Sequence, residues 1–87
     1  MAVYLLCCKE IEGKHVGRNL GPYRPSQVRD LLEQLRAKPV YDRPDLVAIC
    51  EQRPNMADVK EVLERTKNPK TALSLLPVVR TIVDCKQ

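Results

Sequence analysis

Two short stretches, residues 2–8 (AVYLLCC) and 46–50 (LVAIC), are apolar without a break apart from the Tyr4 hydroxyl, and charged residues follow both. They constrain the fold more than any other part of the chain. A surface helix or a half-exposed strand alternates polar with apolar positions, whereas a run with no polar face has to be covered on both sides. Both stretches are therefore predicted to be buried strands, the first of them central in its sheet. The chain has three tyrosines (Tyr4, Tyr23, Tyr41) and no Phe or Trp, so the core between strands and helices must be built from Val, Leu, Ile, Ala and Cys.

With 87 residues, the chain is read as a single compact domain over 1–87. That is near the size where one core gives only a few kcal/mol of net stability and association into a homodimer is a common aid. Its 44% hydrophobic and 30% charged residues, with a mean hydropathy of −0.34, fit a folded globule rather than a disordered chain. No uncharged apolar run approaches the roughly 20 residues that span a bilayer. The opening residues lack the basic start and cleavage pattern of a signal peptide, so the expectation is a cytoplasmic protein without membrane contact. Cys7, Cys8, Cys50 and Cys85 all lie in or beside apolar runs, which suits reduced core thiols better than a disulfide scaffold.

Two helices are legible from spacing. In residues 26–37, Val28, Leu31, Leu32 and Leu35 recur at i, i+3, i+4 and i+7, opposite Arg29, Asp30, Glu33, Gln34 and Arg36. Ser26 is the expected N-cap, and Pro39 stops the helix. Met56, Val59, Val62 and Leu63 form a second stripe, with Asn55 as cap and Asn68-Pro69 as stop. Glu12-Gly13 allows a tight turn into a short edge strand over 14–18, which Gly17 and Gly21 would weaken. In the tail, a helical turn after Pro69, a break at Pro77 and a strand over 78–83 are expected, with a helix kinked at Pro77 as the alternative. Strands alternating with helices predict an α+β or small α/β fold: one sheet of three to four strands, at least partly parallel, with two amphipathic helices packed on it.

The charge is unevenly placed. The chain holds 15 basic and 11 acidic residues, and residues 13–29 hold Lys14, Arg18, Arg24 and Arg29 without one acid, leaving eleven of each sign elsewhere. All three glycines (Gly13, Gly17, Gly21) fall in the same window. In a parallel sheet, the loops leaving the strands and the following helix N-termini gather at one edge. Residues 9–26 and 51–55 would then be neighbours, joining Lys14, Arg18, Arg24, Ser26, Arg29, Arg53 and Asn55 into an anion or partner site.

The residues name no reaction. GKHVGRNLG is neither a Walker loop nor GxGxxG, so nucleotide binding has only generic helix-end contacts to draw on. No CxxC pair is present, and adjacent Cys7 and Cys8 would point to opposite faces of a strand, so no metal or other cofactor is expected. His15 would need a partner carboxylate or nucleophile to act as a base, and sequence does not supply one. Tyr23, just before the helix, is read as a staple on it in preference to a base-stacking platform. The functional expectation is a small non-enzymatic binding or regulatory module that contacts an anionic macromolecule, with nucleic acid ahead of an acidic protein surface. The alternative is a protein interaction module acting as homodimer, adaptor or inhibitor.

Overall fold

In a computed structural model of the chain, which describes residues 2–76, 78–79 and 83–86, the elements follow the order β1 (Val3–Ile11), β2 (Lys14–Tyr23), α1 (Pro25–Ala37), a 3-10 turn (Val40–Asp42), β3 (Leu46–Cys50), α2 (Met56–Arg65), α3 (Pro69–Ser74) and β4 (Val83–Asp84). The four strands form one sheet in the order β2-β1-β3-β4. The two apolar runs are its inner strands, β1 and β3, and each is flanked on both sides.

Every neighbouring pair is antiparallel, which corrects the expectation of a partly parallel sheet. The cause is the turn at Glu12-Gly13. Both residues have positive φ (51° and 79°), so they close a two-residue hairpin with Ile11 opposite Lys14. Residues 14–23 consequently form a full ten-residue strand in place of the short one expected over 14–18. That strand reverses the chain before α1 begins. The α1 crossover brings β3 back in the direction of β2, and because β1 lies between them, β3 runs antiparallel to β1. The parallel relations are those of β2 with β3 and of β1 with β4, which are not neighbours in the sheet.

The helices cover opposite faces of the sheet. On one side Val3, Leu5, Cys7, Val47, Ile49 and Cys85 pack with Val28 of α1, supported by Leu31, Leu32 and Leu35. On the other, Leu6, Cys8, Leu46, Ala48 and Cys50 pack with Val59 and Leu63 of α2 and Ala72 and Leu73 of α3. Strand alternation sends Cys7 and Cys8 to the two different cores. All four cysteines are free and buried.

Helix starts differ in detail from the sequence reading. The N-cap of α1 is Arg24, not Ser26, because Pro25 takes the first helical position, where its missing N–H costs nothing. The Gln27 side-chain oxygen accepts the Arg24 backbone N–H at 3.0 Å. Asn55 does cap α2, its Oδ1 accepting the Ala57 N–H at 2.9 Å, and Asn68 caps α3 in the same way through Lys70. In the tail, strand structure is confined to Val83–Asp84 among the described residues. Val78 and Val79 are irregular, with the Val79 N–H donated to the Ile49 carbonyl at 3.2 Å. Pro77 and residues 80–82 of the expected strand lie outside the described residues. Among the described residues, no helix is long and apolar enough to cross a membrane.

Candidate functional site

β2 is one edge of the sheet, and its side chains divide by alternation. Val16, Arg18 and Leu20 stand opposite Lys9, Cys7 and Leu5 on the α1 side, while His15, Gly17 and Asn19 stand opposite Glu10, Cys8 and Leu6 on the α2 side. α1 does not extend over the outer part of this face, so Val16 is 47% exposed and neighbouring Ile11 50%. A groove beside them is lined by Lys9, Arg18, Leu35 and Lys38.

The seven residues drawn together by the sequence reading are separated by the hairpin. Because β2 and β3 point the same way, their C-terminal ends lie at one end of the sheet, where Asn19 and Gly21 of β2 touch Pro54 and Arg53. Three contacts fix this corner. The Asn19 Nδ2 donates to the Pro54 carbonyl at 2.9 Å, the Arg53 guanidinium donates to the Gly21 carbonyl at 3.4 Å, and Arg53 lies over the Tyr4 ring, 5.4 Å from its centre. Arg24, Ser26, Arg53 and Asn55 belong to this end. Asn55 is occupied as a cap, and Ser26 is an exposed first-turn residue. Arg18 lies midway along the edge, about 13 Å of strand from Lys14 at the hairpin end. Lys14 and residues 9–13 are thus at the far end from Arg53, contrary to the single-edge grouping.

Arg29 faces solvent and pairs with Glu33 one turn on, at 3.5 Å, an exposed pair of little energetic weight. Lys14, Arg18, Arg24 and Arg53 make no ion pair among the described residues. Tyr23 packs into the α1-side core with Leu31 and Leu32, the place expected of a staple.

The hairpin end holds a constellation that sequence reasoning missed. Glu10 and His15 are directly opposed across β1 and β2. Asp45, the residue before β3, accepts the Glu10 backbone N–H on Oδ2 at 3.1 Å, and that oxygen lies 3.9 Å from His15 Nδ1. The Lys86 ammonium stands 2.8 Å from the other Asp45 oxygen, and this contact pushes its pKa up from the ordinary value. The only sequence signal was the Glu-turn-His spacing around Glu12-Gly13. Asp45 is distant in sequence and enters through β1 and β3 pairing.

The thiols are set by burial. Desolvation, followed by the neighbouring Cys85, pushes Cys7 up to about 11, and desolvation followed by Cys7 pushes Cys8 up to about 12, from an ordinary 9.0. Burial also raises Cys50 and Cys85. At neutral pH the sulfurs are therefore protonated, a poor state for a nucleophile. The same shifts give a stability prediction. Above pH 9 the unfolded chain loses thiol protons that the folded chain keeps, so stability falls as pH rises towards 11 and 12. The slope approaches about 1.4 kcal/mol per pH unit for each such thiol. Urea unfolding at pH 8 and pH 10.5 measures it, and Cys8→Ala should flatten the decline; equal slopes in the two proteins would show that Cys8 is not protected.

Comparisons with protein-family models, curated proteins and solved structures give no match.

Proposed function

We propose that the protein is a non-enzymatic binding module that docks an anionic macromolecule, nucleic acid before others, along the open edge of β2 and the corner where β2 runs into α1. The observation that carries this reading is the string of cations without ion-pair partners among the described residues: Lys14, Arg18 and Arg24 on the edge strand and its exit, with Arg53 at the adjoining corner. A charge that meets no counter-charge in its own fold gives up little when a phosphate replaces water, and counterion release adds to the gain. The scarcity of exposed aromatics directs the contacts to the backbone of the nucleic acid rather than to stacked bases.

The test is fluorescence anisotropy with mixed-sequence single-stranded RNA and duplex DNA over a range of salt. Binding should weaken steeply with salt. The Arg18→Ala, Arg24→Ala double variant should lose affinity for every sequence alike and lower the salt slope by about two units. Unchanged affinity or slope in that variant overturns the reading.

One observation favours a protein partner instead. The outer edge of a ten-residue strand carries backbone donors and acceptors that no neighbouring strand among the described residues takes up, next to exposed Ile11 and Val16. Concentration-dependent mass in sedimentation, together with no shift on either nucleic acid at low salt, would select that reading.

A further inference from the structure

The His15, Glu10 and Asp45 corner is separate from the string of cations, and it presents a different chemistry. One imidazole nitrogen and two carboxylate oxygens, from β2, β1 and the start of β3, all lie within 4.8 Å of one another. The His15 Nδ1 is sealed from solvent and has no hydrogen-bond partner among the described residues. Asp45 Oδ2, at 3.9 Å, is beyond hydrogen-bond reach. A buried ring nitrogen that meets nothing is costly, and an ion seated between these atoms would satisfy it.

We propose that Glu10, His15 and Asp45 form a binding site for a divalent transition-metal ion of the zinc class. Bonds of about 2.0–2.2 Å to nitrogen and oxygen place tetrahedral ligands roughly 3.5 Å apart. The observed His15 to Asp45 separation therefore closes with a few tenths of an ångström of side-chain movement. Glu10 is exposed and free to swing onto the ion, whereas Asp45 is held in place by the Glu10 N–H and, through its other oxygen, by Lys86. Such outer contacts orient a ligating carboxylate. Two carboxylates against one ammonium leave the corner net negative. The imidazole selects zinc, copper or nickel over calcium and magnesium, and three protein donors leave a position for water. Bound there, the ion would tie the β1-β2 hairpin to the loop leading into β3. The sequence contains no zinc knuckle because the ligands converge through strand pairing rather than through a short spacing.

The experiment is calorimetric titration of chelator-treated protein with zinc, with cobalt as the optical probe and thermal unfolding followed in parallel. One equivalent should bind saturably, raise the melting temperature and give a cobalt spectrum without thiolate charge transfer. His15→Gln should weaken zinc by about tenfold or more. Glu10→Gln, at an exposed position where folding is not at risk, should weaken it by a smaller factor. Absence of saturable binding overturns the proposal, as does zinc affinity unchanged in both variants, or a cobalt thiolate band that places the ion on the cysteines.

Discussion

Leu6→Ala is expected to lower the thermal midpoint by on the order of 10–25 °C, the largest loss among the single changes considered. Leu6 is fully buried at the centre of β1, the strand with neighbours on both sides, and it packs under Val59, Leu63 and Leu73 of the two helices on that face. Removing its three terminal carbons costs the transfer free energy of those atoms together with the cavity left behind, about 2–5 kcal/mol for Leu→Ala in a core. The cavity cannot easily collapse, because its floor is sheet backbone paired on both edges. In a chain of this length, 1 kcal/mol moves the midpoint by about 4–8 °C. Leu5→Ala removes an equally buried side chain from the opposite core, under α1, and should cost a comparable amount. Val40→Ala, at a position 55% exposed, should stay within about 0.5 kcal/mol of the parent. Circular dichroism melts of the three variants decide it. A Leu6→Ala shift no larger than that of Val40→Ala would mean that α2 and α3 do not close over this face.

The parts of the fold that were legible in the sequence are those whose signal is local. Val28, Leu31, Leu32 and Leu35 mark α1 because a helical stripe is written in neighbouring residues, and Asn55 marks the start of α2 because a cap is a two-residue event. The unbroken runs at β1 and β3 announced buried strands for the same reason. What failed was strand direction. It depended on whether residues 14–23 paired, and that strand has glycines at 17 and 21 and few apolar side chains, so its stability comes from its neighbours rather than from its own composition. The error then propagated to the site. Placing Lys14 beside Arg53 required a parallel β1 and β3, and the hairpin puts them at opposite ends of the sheet, with Arg24 at the same end as Arg53. His15 and Asp45 illustrate the other blind spot. Their approach is created by two strand registers at once, and nothing within a short window of either residue encodes it.

Gly17→Ala is the second large effect expected, and it inverts the reading of that glycine as a residue that only weakens its strand. Gly17 is in regular strand opposite Cys8, and a Cβ built there would sit 2.8 Å from the Val59 Cγ1 of α2. Val59 is fully buried and β-branched, and a valine in a helix strongly prefers one χ1 rotamer, so its side chain gives way only at a cost. Either α2 lifts from the sheet edge or the strand bends outward, at an overpacking cost of about 1–3 kcal/mol. Val59→Ala alone leaves a cavity costing about 2 kcal/mol. In the double variant the new methyl at position 17 enters the space vacated at position 59. The pair should therefore be more stable than the sum of the single losses by about 1 kcal/mol or more, the signature of direct contact. Urea unfolding of the four proteins completes the cycle, and strict additivity would show that α2 does not rest on β2. The geometry also explains why α2 lies so close to an edge strand. A glycine in that register lets the helix brace β2 from one face of the sheet, which keeps the strand that carries Lys14 and Arg18 in place although its outer edge meets no strand among the described residues.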